Sequence, residues 1–386
     1  MVAATMGVIL WAVVRHRERM ERLLSSLAVV CLPFVGVTVG QTAGFLVARH
    51  HPVTPEMQAD GPRGKIRRTV VLLFDELDYV LAFERRRQGI QLEEFDRLAA
   101  RSFRSQLRPA GEVTLKAVPA MLAGRVLDEA LLDAANRLWV RFRGEEEFQD
   151  LASVETLFQR ANQTGARIAV VGAWLPYCAL VPPGSRCWQV PLLNDGGAGW
   201  EGPRPGDRMG LLEALARQAV HAIRAAPLLG RWVREDPQRW YMRLLETSLE
   251  AVSDSEAELV WVHVPLPHPP WIFDRIQQRV TYSAGGYDDN LVLVDRMLGA
   301  LRQGMEQAGL WRESVIVVTS DHGYRAGAEK HTRVPLMVRF PDEVRWEEAT
   351  PAESTVLRAV VEAVLKGEVR SGSELARLLF RWSSSP

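Results

Sequence analysis

The sequence predicts an α/β fold: a mostly parallel sheet with helices on both faces, preceded by an N-terminal transmembrane segment. Three observations lead there. Continuous apolar runs of β type alternate with helical stretches, the pattern of parallel strands joined by crossovers. Several of those runs stop at acids and imidazoles, the strand-end position where open α/β sheets gather their chemistry. Near the N-terminus, Leu23–Ala48 contains 26 residues and no charge, and ~20 apolar residues suffice to cross the hydrocarbon core.

Residues 1–48 read as a membrane anchor with one full span, 23–48. Residues 1–14 are also uncharged and form a candidate partial span. Between them lies RHRERMER, with Arg15, Arg17, Arg19 and Arg22. A short arginine-rich loop stays in the cytoplasm, so the span runs outward and the rest of the chain lies outside. A cleaved signal peptide is the alternative, although no small-x-small cleavage site follows the apolar run. Residues 49–68 are polar and rich in Pro, Gly and Arg, which marks a linker.

The strands and helices follow in order. Thr69–Phe74 (TVVLLF) is a buried strand. Glu93–Ser105 reads as a helix with Phe95, Leu98 and Phe103 on one face. Glu155–Gly165 is a helix closed by glycine, and RIAVVG after it is a strand. Gly206–Trp232 and Asp236–Ser253 read as helices. Leu259–Val264 (LVWVHV) is a strand, and Asn290–Gln303 is an amphipathic helix with Leu291, Val294, Leu298 and Leu301 inward. Val315–Thr319 and Val334–Phe340 are strands. The tail, 343–386, holds one or two short helices.

Lys+Arg and Asp+Glu both number 47, a balance that gives no footprint for nucleic acid. Of three cysteines, Cys31 sits in the span. Cys178 and Cys187 lie in a Pro/Gly-rich loop, and outside the cytoplasm they can form a disulfide. Two unrelated small apolar residues are the other reading.

Chemistry-bearing residues collect at the strand ends. Thr69–Phe74 leads into Asp75, Glu76 and Asp78. Leu259–Val264 leads into His268 and Asp274. Val315–Thr319 leads into Ser320, Asp321, His322 and Gly323, while Lys330 and His331 precede the last strand. Four of the eight histidines (263, 268, 322 and 331) fall in this one window. Oxygen and nitrogen donors without thiolate suit a divalent metal, Zn²⁺ or Mn²⁺ first, with Ca²⁺ or Mg²⁺ as alternatives. His263 lies within a strand and reads as packed core. Asp78 reads as a solvated or capping acid.

Three motifs then resemble the alkaline phosphatase superfamily, in its sulfatase-like branch with lipoteichoic acid synthases and phosphoethanolamine transferases. They are VVLLFDELDY, GEVTLKAVPAMLAGR, and SDHG followed by RVPLMVRFP. The resemblance implies one sulfatase-like catalytic domain over 69–342, followed by the helical tail. It implies a metal held by Asp75, Glu76, Thr114, Asp321 and His322. Family members differ on whether one or both of the adjacent acids, Asp75 and Glu76, bind. Thr114 stands ten residues before Gly124 and five before Pro119, and two family alignments thereby select it as nucleophile. The sulfatase C-x-P-S-R signature is missing, so formylglycine chemistry has no starting residue. By resemblance, His268, Lys330 and His331 contact the anion.

The implied function is a membrane-anchored, metal-dependent hydrolase or transferase. It moves a phospho-group from a phospholipid or other phosphodiester donor, through a threonine nucleophile, to a cell-envelope acceptor. The catalytic domain then lies on the extracytoplasmic side of the cell membrane. The rivals are a phosphate or sulfate ester hydrolase acting on a soluble substrate, and a noncatalytic envelope binding protein.

Overall fold

Runs of Val, Ile and Leu flanked by turn residues form strands that can be covered on both faces. In the computed structural model the central strands have that character. It describes residues 68–133, 135–193, 236–282, 285–325, 332–341, 346–347 and 352–383. The predicted span 23–48, the segment 1–14, the linker and the Gly206–Trp232 helix fall outside the described residues, except for Arg68 of the linker. Among the described residues no helix is long and apolar enough to cross a membrane.

The strands in chain order are β1 (Thr69–Phe74), β2 (Phe103–Arg108), β3 (Leu127–Leu132), β4 (Leu138–Phe142), β5 (Gln149–Asp150), β6 (Ile168–Gly172) and β7 (Arg186–Gln189). They continue with β8 (Leu259–Val264), β9 (Phe273–Asp274), β10 (Arg279–Val280), β11 (Val315–Thr319), β12 (Val334–Arg339), β13 (Trp346–Glu347) and β14 (Ala352–Glu353). The helices are α1 (Glu93–Ala99), α2 (Thr114–Ala123), α3 (Leu157–Gln163), α4 (Tyr177–Leu180), α5 (Pro237–Val252), α6 (Tyr287–Gln307), α7 (Val356–Leu365) and α8 (Gly372–Ser383).

The main sheet runs β13-β2-β12-β11-β1-β8-β6-β7, with β14 also on β2. β1 pairs in parallel with both β11 and β8, and β6 in parallel with β8 and β7. β12 is reversed, antiparallel to β11 and β2. The sheet is therefore mostly parallel, and the C-terminal ends of β1, β8, β6 and β11 open on one edge. Thr319 pairs with Leu336, so β12 begins at that same edge.

Alternation along β1 divides the core. Val71 and Leu73 point into a cluster with Val118, Met121, Phe158, Val360 and Leu375, from α2, α3, α7 and α8. Val70, Leu72 and Phe74 point into a second cluster with Phe95, Trp240, Leu244, Leu291 and Leu298, from α1, α5 and α6. Each strand residue thus serves one face in turn. The sequence expectation for α6 holds: Leu291, Val294, Leu298 and Leu301 are all buried.

Two expectations change. The helix placed over Glu93–Ser105 stops at Ala99, and Phe103 opens β2 instead. In β2, Phe103, Ser105 and Leu107 are buried while Arg104, Gln106 and Arg108 are not, a period of two that forms half-covered sheet. The tail also joins the sheet, since β13 and β14 both pair with β2. Outside the main sheet, β3, β4 and β5 form a small antiparallel sheet and β9 pairs with β10. Cys178 and Cys187 are joined as a disulfide between α4 and β7.

Candidate metal centre and nucleophile

The carboxyl ends of β1, β6, β8 and β11 supply the site. β1 delivers Asp75, which is fully buried, its backbone N–H donating to Val264 O at 2.9 Å. Glu76 then adopts φ 65°, the left-handed region that a side chain with a Cβ rarely takes. That turn lets the Glu76 N–H donate to Asp321 Oδ1 at 3.2 Å. The Leu77 N–H donates to Ser320 Oγ at 2.9 Å. The Tyr287 hydroxyl, from α6, donates to Glu76 O at 2.8 Å and accepts from Asp78 N–H at 2.9 Å. Ends of three elements are thereby locked to one another.

Asp78 is a capping acid but not a solvated one. It is fully buried, accepting from Leu81 N–H at 3.0 Å and Tyr324 N–H at 3.1 Å. His263 is core, as the sequence suggested, with its Nδ1 2.9 Å from the Tyr177 hydroxyl. Burial pulls its pKa down to about 4.

Asp75, Asp321 and His322 converge, with ligand atoms all within 4.8 Å of one another. His322 Nδ1 lies 3.0 Å from Gly323 O. A carbonyl only accepts, so Nδ1 carries the hydrogen and Nε2 presents its lone pair. That Nε2 lies 3.5 Å from Asp75 Oδ1 and 3.4 Å from Asp321 Oδ2. The tautomer is the one a metal-ligating histidine uses, fixed by a hydrogen bond on its other nitrogen.

Thr114 is the first residue of α2, after Val113 in extended conformation. Its Oγ1 donates to Asp321 Oδ2 at 2.7 Å and lies 3.5 Å from His322 Nε2. Ala117, Val118, Met121 and Leu122 are buried beneath it, so packing of α2 aims the hydroxyl. The helix N-terminus also favours an anion at this point.

The electrostatics are those of an acidic site built for a cation. Both oxygens of Asp75 are buried without a hydrogen-bond partner. Burial first, and then the charges of Asp321 and Glu76, push the Asp75 pKa well above the carboxylate range. Burial works the other way on Asp321 than its neighbours do. Positive charge on His322 and His263 when they are protonated, with the Thr114 hydroxyl and the Glu76 N–H, outweighs it and holds the Asp321 pKa below its usual value. Orphaned oxygens, crowded negative charge and an inward imidazole lone pair fit a divalent metal. Asp75, Asp321 and His322 are the residues that would hold it.

The remaining predicted residues lie elsewhere. The Glu76 carboxylate is outside that cluster, and its Oε1 accepts from Arg325 Nε at 3.1 Å. His268 sits on the rim, Nδ1 2.6 Å from Pro269 O and Nε2 3.0 Å from Arg325 Nη2. Burial lowers the His268 pKa, with Arg325 and His322 adding to the effect over the opposing pull of Glu76. Lys330 and His331 lie outside the described residues.

Three contributors escaped the sequence reading. Arg325 lies two residues beyond the SDHG stretch. Trp174, at φ 67°, stands two residues past the end of β6, its ring 5.1 Å from the His268 ring. Its place after a strand end was the signal available. Asn290 accepts from Ile272 N–H at 2.9 Å and donates toward the carbonyls of Pro267 and Pro270 at 3.3 and 3.2 Å, clamping the loop that carries His268.

The sequence matches the Sulfatase family model over residues 214–356, a stretch that includes His268, Asp321 and His322 but not Asp75 or Thr114. No curated protein matches it. Among solved structures, one from Bacteroides thetaiotaomicron, from work on the metabolism of multiple glycosaminoglycans, is 14% identical. The alignment covers 84% of this chain and 83% of that one, with a TM-score of 0.57. The lipoteichoic acid synthase LtaP from Listeria monocytogenes is 11% identical over 82% of this chain and 76% of its own, at a TM-score of 0.50. A putative sulfatase from Bacteroides thetaiotaomicron is 12% identical over 82% and 75%, at 0.51. At such identities the structures speak to the fold. The fold is the one these structures share, and residues 214–356 match the Sulfatase family model.

Proposed function

We propose that this protein is a metal-dependent, sulfatase-like enzyme that transfers a phospho-group through Thr114, acting beside a membrane to which its N-terminal segment anchors it. The observation that carries the reading is the Thr114 hydroxyl, held 2.7 Å from Asp321 Oδ2 at the edge of the Asp75, Asp321 and His322 cluster. The same hydroxyl lies 3.5 Å from His322 Nε2, so two members of the cluster face it.

A divalent cation held by Asp75, Asp321 and His322 would supply positive charge, making a hydroxyl more acidic and offsetting charge on phosphoryl oxygens. The chain's own groups do the rest. Thr114 Oγ1 attacks phosphorus, and the bond from phosphorus to the donor's alcohol breaks. The hydroxyl proton leaves along the hydrogen bond to Asp321, and the departing alcohol oxygen takes a proton from water. A second alcohol, or water, then attacks the phospho-threonine, and Thr114 Oγ1 leaves with the proton returned from Asp321. The attacking group's proton passes to solvent.

The donor is a phospholipid or another phosphodiester, and the acceptor an envelope alcohol, because the anchor holds the site near the bilayer outside the cytoplasm. The test is turnover of a phosphodiester panel by the full chain in detergent, with metal content measured on the same samples. Thr114→Ala should lose turnover by about a thousandfold or more, and Thr114→Ser should retain part of it. Near-normal turnover by the alanine variant would remove Thr114 from the reaction.

A further inference from the structure

Glu76 and Arg325 form a pair that neither the metal cluster nor the nucleophile accounts for. Glu76 is buried, yet its carboxylate turns away from Asp75 and accepts from Arg325 Nε at 3.1 Å. Its left-handed backbone, φ 65°, is what separates two adjacent acids. One faces the metal cluster and the other faces Arg325. The Arg325 side chain is 39% exposed, so one end of the guanidinium is fixed while the group remains reachable from outside. Its Nη2 lies 3.0 Å from His268 Nε2. Because His268 Nδ1 donates to the Pro269 carbonyl at 2.6 Å, Nε2 is an acceptor here and Arg325 is the donor.

A site lined by Asp75 and Asp321 repels an anionic ester unless fixed positive charge faces it. A planar guanidinium matches the edge of a tetrahedral oxyanion. We propose that Arg325 is the residue that takes the substrate's anionic group, and that Glu76 anchors Arg325 rather than joining the metal ligands. The ligand class is an ester of a tetrahedral oxyanion, and a bound anion replaces His268 as the acceptor of Arg325 Nη2. This assignment rests on the functional reading above and names the group within that site that recognises its substrate.

Metal content and anion binding separate the roles. The full chain is loaded with Zn²⁺ or Mn²⁺, and inorganic phosphate and tungstate are titrated by calorimetry. Arg325→Ala should weaken anion binding by roughly 10- to 100-fold, with Arg325→Lys between it and the parent, and metal content should stay at the parent's level. Glu76→Gln should also keep its metal and lose part of the anion affinity. In turnover, Arg325→Lys should raise KM more than it lowers kcat. Loss of metal from Glu76→Gln, or parent-like anion binding by Arg325→Ala, overturns the assignment while leaving the phosphotransfer reading standing. A parent that binds metal but no anion overturns both.

Discussion

Replacing Asp75 by Asn should make the metal-free protein more stable and the metal-loaded protein less so. In the folded chain the Asp75 oxygens are buried without partners, and the ligand atoms of Asp75, Asp321 and His322 lie within 4.8 Å of one another. Two full charges at that separation repel by about 3.5 kcal/mol at an effective permittivity of 20. Asp75 escapes part of this through its raised pKa, so relief by Asn is worth about 1–2 kcal/mol. At about 2–4 °C per kcal/mol for a domain of this size, the melting temperature in chelator should rise by about 2–8 °C. A divalent cation at a hundred times its dissociation constant stabilises the parent by about 2.7 kcal/mol. The variant, with an amide in place of a carboxylate, should gain much less, and the two ranks should cross. The assay is thermal unfolding of the full chain in detergent, with chelator and then with added Zn²⁺ or Mn²⁺. A variant less stable than the parent in chelator, or one that gains equally from metal, would refute the idea that Asp75 is a cation ligand held under charge strain.

Tyr287→Phe removes the hydroxyl that joins Glu76 O to Asp78 N–H; stability should fall by about 2–4 kcal/mol and metal affinity with it, measured by denaturation and metal titration. Asp295 accepts the N–H groups of Glu94 and Phe95, yet burial raises its pKa to about 6. Since the folded pKa lies above the unfolded one, its ionisation costs nothing below about pH 4 and the full penalty is present above about pH 6. Asp295→Asn should therefore gain on the parent in melting temperature across that window and hold the gain above it; a pH-independent difference would contradict this. Cys178 and Cys187 are nine residues apart and bonded. Thiol alkylation of denatured, nonreduced protein should label neither, and Cys187→Ser should cost up to about 3 kcal/mol.

Much of this arrangement was legible because its strands are continuous apolar runs. β1, β6, β8 and β11 are buried along their whole length, and such runs stand out without knowledge of their neighbours. β2 and β7 did not, since Phe103–Arg108 carries polar residues along one face and Arg186–Gln189 has no buried residue and a polar one on each face. Phe103 could continue a helical face or begin an alternation, and pairing with β12 decides for the strand. The convergence of Asp75, Asp321 and His322 followed from strand ends sharing one edge. The separation of the Asp75 and Glu76 carboxylates did not, because spacing places both at the site and the left-handed backbone is found at Glu76 only in the structure. Arg325 was hidden for a related reason. Its meaning depends on Glu76 and His268, which are 249 and 57 residues away.

The central claim is that Thr114 becomes covalently linked to the group it transfers. The measurement that tests it most directly is the mass of the peptide containing residue 114, after the full chain has been incubated with metal and a phosphodiester donor and quenched in acid. The peptide should gain the mass of the transferred phospho-group on Thr114, and the Thr114→Ala protein should show no adduct. An adduct on another residue, or none in a preparation that turns over the donor, would contradict the account.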